Sequence, residues 1–311
     1  TFEALVARIA SISGSESGFV DISKRLAFVL AADNGVTAQG ISVTPAEITV
    51  SMASFMAQRR SSVCIMAREA KCDVELVDMG MFRKLEGPGI VDRHVADGTA
   101  DISIGPAMSA AEAEQAVQAG IDLVRDAVDK GYRLIATGEM GIGNTTTSSA
   151  VATVLLGKTA RELTGRGVGL DDEGLANKVR VIDRAIEVNK PDRGDPFGVL
   201  QKLGGFDIAG MCGIFIGGAL YRVPVVIDGL ISSVSALLAV RLCPKAVYAL
   251  VPSHLSAEPA AMWIMDELGL SPIVHAGMRL GEGTGAITII PLLDLIIAVM
   301  NDMMTLSDIG M

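Results

Sequence analysis

The sequence predicts an α/β fold in which a parallel sheet is covered by helices on both faces. Three observations carry that prediction. Short runs rich in β-branched residues recur along the chain, helical stretches stand between them, and the runs are almost continuously apolar. Strands of that kind are buried on both sides, as in sheets built from helical crossovers. Residues 26–32 (Leu-Ala-Phe-Val-Leu-Ala-Ala) form the first, ending at the turn signal Asp33-Asn34-Gly35. Thr44-Pro45-Ala46-Glu47 reads as a helix start, with Thr as N-cap, Pro at the first helical position and Glu closing a capping box. A strand is expected over Val74–Met79. Ser109-Ala110-Ala111-Glu112 is a second capping box, opening a helix that runs towards Gly131. Further strands are expected at Arg133–Thr137, Val223–Ile227 and Ala246–Val251. A last helix, at 286–305, follows no further strand and is free to pack with the N-terminal residues as a small helical subdomain.

At 311 residues the chain suits two domains, or one large α/β domain with an appendage. Half of the residues are hydrophobic and 20% are charged, which excludes intrinsic disorder. Aromatic residues make up only 4%, so the core must be aliphatic, with Ala and Met. The net charge of −10, with no Lys/Arg-rich run, argues against a nucleic-acid surface. Cys64, Cys72, Cys212 and Cys243 lack metal-site spacing and read as buried reduced thiols, as expected of a cytoplasmic protein. The apolar stretches 208–220, 223–240 and 285–300 are broken by glycines, by Asp228, and by Pro291 with Asp294. None supplies about 20 uninterrupted apolar residues, so no membrane partner is expected. No signal-peptide pattern follows Thr1.

Ligands in open parallel sheets bind beyond the carboxyl ends of the strands. That rule selects Asp33-Asn34-Gly35, Gly138 to Thr147, Asp228-Gly229 and Pro252-Ser253-His254. The stretch Gly138-Glu139-Met140-Gly141-Ile142-Gly143-Asn144-Thr145-Thr146 lies between a strand and an apolar helical run. Its glycines admit close backbone approach, and the helix start offers free N–H groups and a positive dipole end, which suit a phosphate. It is neither a Walker A loop nor the dinucleotide fingerprint, since the order is G-x-x-G-x-G. A plain strand-to-helix turn is the competing reading.

Met278-Arg279-Leu280-Gly281-Glu282-Gly283-Thr284-Gly285 holds a carboxylate between glycines, just after an arginine. An apolar setting would raise the Glu282 pKa, as suits a general base, and Arg279 suits a phosphate or carboxylate. An ordinary solvated Glu-Arg pair is the alternative. His254 reads more readily as a hydrogen-bonded structural histidine than as a ligand contact. Lys178 stands in a polar helical stretch where solvation is the default. Met52, Phe55 and Met56 read as helix core.

At these motifs the chain resembles the nicotinate-nucleotide:dimethylbenzimidazole phosphoribosyltransferases, which make the α-ribotide of the lower ligand of cobamides. The residues that carry the resemblance are Ala32 to Val36 with Gly40-Ile41-Ser42, Gly138 to Thr146, Gly204 to Ala209, Val225 to Gly229 and Arg279 to Gly285. It spans nearly the whole chain in the expected order. It implies a Rossmann-like parallel sheet in a large α/β domain, residues 21–275, and a small helical domain from both chain ends, 1–20 and 276–311. It also implies phosphoribose transfer from nicotinate mononucleotide to an aromatic acceptor, with inversion, without a metal or other cofactor. The partner it implies is a second copy, or a paralogue in a heterodimer.

By the same resemblance Glu282 is the general base and Glu139 the acidic residue of the glycine loop. Gly141, Gly143, Asn144 and Thr145 form the phosphoribosyl cradle, while Arg279, Lys178 and Ser256 contact the nucleotide phosphate or carboxylate. The acceptor pocket would comprise Thr44, Met52, Met140 and Leu280. The chain departs from the family pattern in places. Asn34 stands where His is frequent, Asp207 where Glu is usual, and Met52 where a Gln faces the benzimidazole. A thioether cannot anchor a ring nitrogen as an amide does, so Met52 with Met140 suggests phenol or p-cresol as acceptor. Two other readings compete: a non-catalytic partner subunit, which the intact Glu282 loop opposes, and a nucleotide-binding oxidoreductase, whose fingerprint glycines are missing.

Overall fold

The computed structural model describes residues 2–14, 19–85, 87–167 and 169–304. Six parallel strands form one sheet: β1 (Arg25–Ala32), β2 (Asp73–Gly80), β3 (Ile90–Asp92), β4 (Leu134–Met140), β5 (Val225–Ile227) and β6 (Leu250–Pro252). Their order is β3-β2-β1-β4-β5-β6, the doubly wound arrangement, so the direction of winding reverses between β1 and β4. Alternate residues of β1 divide between two cores: Leu26, Phe28 and Leu30 point to one face, and Ala27, Val29 and Ala31 to the other. That is why the run reads as continuously apolar.

The helices are α1 (Phe2–Ser13), α2 (Ile48–Ala57), α3 (Ser62–Glu69), α4 (Ala110–Asp129), α5 (Asn144–Leu156), α6 (Ala160–Leu163), α7 (Asp172–Asn189), α8 (Pro196–Leu203), α9 (Phe206–Tyr221), α10 (Leu230–Leu242), α11 (Ala260–Leu268) and α12 (Thr284–Asp302). Helices α4, α5, α8, α9, α10 and α11 contribute to the larger core. Helices α1, α2, α3 and α12 cover the opposite face. Both chain ends thus lie on one side of the sheet, with Leu5, Val6 and Ile9 sharing a cluster with Ile287, Ile290 and Leu293. Residues 1, 15–18 and 305–311 of the expected small domain lie outside the described residues, and the helix expected over 286–305 ends earlier, at Asp302, with Met303 as its C-cap. By length and composition α12 is apolar enough to cross a membrane, yet Ile287, Ile289, Ile290, Leu293 and Ile297 are buried in the core.

The Ser109 capping box forms as expected, with both reciprocal hydrogen bonds. The one at Thr44 does not. Helix α2 begins three residues later with Glu47 as N-cap, because Pro45 and Ala46 first close two tight turns to Ile48 and Thr49. The strand expected over 246–251 is shorter. Pro244–Ala249 winds as a 3₁₀ helix, and pairing with β5 begins only at Leu250. Strand β4 instead runs on to Met140, so Gly138 and Glu139 belong to the sheet rather than to a loop. The free thiols of Cys64, Cys72 and Cys212 are buried, whereas Cys243 is only half-buried.

Candidate active site

The carboxyl ends of β4, β5 and β6 converge on one cavity. Strand β4 delivers Glu139 and Met140 to its floor, and Gly141-Ile142-Gly143 then turns into α5. Gly143, the N-cap, has φ of 95°, a left-handed conformation that a side chain would strain. Helix α2 braces the turn, since the Ile142 N–H donates to Thr49 Oγ1 at 3.1 Å.

Two carboxylates meet at Asn144. Its side-chain amide donates to Glu139 Oε2 and, at 2.9 Å, to Asp207 Oδ2. Burial pushes the Glu139 carboxyl up to about 8 and that of Asp207 up to about 6, even though Asn144 opposes both shifts. Glu282 reaches the same place from the turn before α12, its backbone N–H 3.4 Å from Glu139 Oε1. The residue is itself left-handed, with φ of 63°. Its side chain is buried, and Oε2 has no hydrogen-bond partner among the described residues. Burial raises the Glu282 pKa, and the backbone amide of Val63 in the first turn of α3 partly offsets that. Asp228, just past β5, holds the turn in place by accepting from Gly283 N at 3.2 Å and Ala286 N at 3.0 Å.

A cation stands on the other side of the glycine turn. Lys178 is buried on α7, and its Nζ donates to Thr145 Oγ1 at 2.8 Å. Burial lowers its pKa to about 8, so an anion beside it would restore its full charge. Lys178 is therefore not the solvated lysine that its polar surroundings suggest. It falls on the buried stripe of α7 with Val181, Ile182, Ala185 and Asn189, a helical periodicity visible in the sequence.

The cavity has a volume of about 120 Å³. It brings together Glu139, Met140, Gly141, Asn144, Thr145, Ser256, Arg279, Leu280 and Glu282. Arg279 and Leu280 are exposed at its rim. Gly143 and Lys178 line an adjoining pocket that shares Gly141, Asn144 and Thr145 and adds Arg166. Thr44 and Met52 line neither; Met52 sits half-buried on α2, one turn beyond Thr49. His254 lines the cavity while its Nδ1 stays 3.1 Å from Ser253 Oγ. Sequence reading marked Asp228 by its place after a strand and Asp207 by the resemblance, without assigning either a role; it did not select Thr49, whose partner Ile142 is distant in the chain, or Arg166, which is tied locally to Leu170 and Asp172.

A phosphoribosyltransferase family model matches residues 1–311. A nicotinate-nucleotide–dimethylbenzimidazole phosphoribosyltransferase from Acetivibrio thermocellus is 43% identical over 98% of this chain and 87% of its own length. One from Ruminiclostridium cellulolyticum is 42% identical over 98% of this chain and 86% of its own. The crystal structure of CobT from Thermus thermophilus superposes with a TM-score of 0.94 at 35% identity, covering 99% of this chain and 92% of that one. The chain belongs to the nicotinate-nucleotide–dimethylbenzimidazole phosphoribosyltransferase family.

Proposed function

We propose that this chain is a cytoplasmic pentosyltransferase that moves phosphoribose from nicotinate mononucleotide to an aromatic precursor of a cobamide lower ligand. The observation that carries the reading is a cavity in which Glu282, with Oε2 unpartnered among the described residues, faces a glycine-walled cradle that leads by Thr145 to Lys178 in the adjoining pocket. The donor phosphate would sit at the start of α5, against Lys178 and Thr145. Arg279 and Ser256 are placed to contact the nucleotide's charged groups from the opposite wall.

In the reaction the acceptor attacks the anomeric carbon, the bond from that carbon to the pyridinium nitrogen breaks, and its electron pair returns to the ring. The leaving nicotinate therefore needs no proton. The acceptor does lose one, and Glu282 takes it. Glu139 has the opposite task. With its pKa near 8 it carries a proton at neutral pH, so it donates a hydrogen bond towards the acceptor or ribose instead of accepting the proton. Holding donor and acceptor in line supplies the remaining acceleration.

The acceptor end is bounded by Met140, Leu230, Ile231 and Leu280, a largely apolar wall. We place phenol or p-cresol among the acceptors on that ground, beside dimethylbenzimidazole. Incubation with nicotinate mononucleotide and each acceptor, with product identified by mass, tests this. An α-ribotide from both is expected. A benzimidazole product alone would withdraw the phenol reading, and no product from any aromatic acceptor would withdraw the transferase reading. We also propose that the chain ends form the smaller lobe, with the exposed side of α12 (Leu295, Val299, Met300) meeting a second copy or a paralogue. A monomeric sedimentation coefficient would contradict that.

A further inference from the structure

A second polar groove lies at the other edge of the sheet. Arg222 immediately precedes the entry to β5, and Lys245 and Tyr248 precede β6, whereas Asp228 and His254 of the catalytic cavity follow those same strands. Arg8 enters the groove from α1, and Ser11 lies one turn further along. The groove has a volume of about 460 Å³.

Its charge is unlike that of the rest of the molecule. The chain carries a net charge of −10, yet the charged side chains lining this groove, Arg8, Arg222 and Lys245, are all cations. Among the described residues none of the three forms an ion pair with a carboxylate. Arg8 Nη2 donates to the Val247 carbonyl, which ties α1 to the 3₁₀ segment, but its Nε is buried without a partner. A buried donor left unmade costs free energy, and clustered like charges add to that cost. An anion seated between the three would satisfy the donor and offset the repulsion. Tyr248 is 70% exposed at the same groove and offers a flat face to a planar ring.

We propose that this groove binds a small molecule that joins a polyphosphate to a planar ring, with the phosphates on Arg8, Arg222 and Lys245 and the ring on Tyr248. It is a site separate from the catalytic cavity, because strands β5 and β6 stand between the two.

The test is titration calorimetry of the whole chain with ADP and with inorganic pyrophosphate. One ADP per chain should bind at the groove, more tightly than pyrophosphate, and more weakly as salt is added. Arg222→Glu and Lys245→Glu change exposed side chains, so folding should persist; circular dichroism checks it. Each should weaken both probes by about tenfold or more, as expected for losing a charge-assisted hydrogen bond. Tyr248→Ala should weaken ADP but not pyrophosphate. Lys178→Met, in the phosphate cradle of the catalytic cavity, should leave both affinities unchanged. ADP affinity that survives both charge reversals, or that falls in Lys178→Met, would overturn the proposal, as would failure of either probe to bind the wild type at millimolar concentration. None of these readouts depends on transferase activity.

Discussion

The two glycine turns of the active site are built alike and hold their glutamates differently. Each leads into a helix, α5 or α12, through a glycine N-cap with φ of 95°, Gly143 in one and Gly283 in the other. In the first turn the glutamate comes before the glycines, on the last pairs of β4, where β1 fixes it and Asn144 holds one of its oxygens. In the second turn the glutamate sits between the glycines, in a left-handed conformation, with one oxygen free. A residue locked in a sheet beside two other acids keeps its proton. A residue at the tip of a tight turn, beside a helix N-terminus, keeps a lone pair available. In the proposed mechanism the same residue type therefore carries opposite protonation tasks, and backbone position decides which.

The sharpest way to break this contrast is to remove each carboxylate in turn. Glu282→Gln should lower kcat by roughly a hundred- to ten-thousand-fold, the usual worth of a general base, and leave the KM for nicotinate mononucleotide near the wild-type value. Glu139→Gln should lower kcat by about tenfold at most, since an amide N–H still donates where the protonated carboxyl did. Equal losses in both variants would erase the distinction.

The two turns also lean on each other. A Cβ on Gly138 would lie 2.5 Å from the Glu282 carbonyl oxygen, so Gly138→Ala must push the second turn away. A loss of about 1–3 kcal/mol in chemical denaturation is expected, with reduced turnover. Unchanged stability would mean that the turns are not in contact.

Lys178→Met tests the cradle alone. It should raise the KM for nicotinate mononucleotide about tenfold, the scale of one charge-assisted hydrogen bond, with little change in kcat.

The smallest effect is on stability. An unfolded glutamate titrates near 4.3, and Glu139 in the fold near 8. Between those values the folded chain keeps a proton that the unfolded chain has released, so this residue's contribution falls as pH rises through that window. Glu139→Gln should flatten the decline, so that its stability relative to wild type is higher at pH 8 than at pH 4. An identical pH dependence in both proteins would place Glu139 outside the buried cluster.

Much of this was readable before any coordinates. The run 26–32 marks the central strand because burial on both faces leaves no polar alternation to obscure it, and the Ser109 box forms because its partners are three residues apart. Segments that failed did so for local reasons. Strand β3 is three residues long, too short for a period to register, and the apolar residues of 244–249 suit a 3₁₀ turn as well as a strand. Within the site, Glu139 and Glu282 stood out because glycines flank them. The positions of Asp207 and Asp228 were marked, but their tasks were not legible, since these depend on Asn144 in one case and on the backbone of Gly283 and Ala286 in the other.

The most direct test is the pH dependence of kcat/KM for the acceptor, measured in wild type and in Glu282→Gln. If Glu282 takes the acceptor's proton, the wild-type rate falls on acidification with an apparent pKa above the ordinary glutamate value of about 4.3, and the variant's residual rate is flat over that range. A variant that keeps the same acid limb, merely scaled down, would show that another group removes the proton.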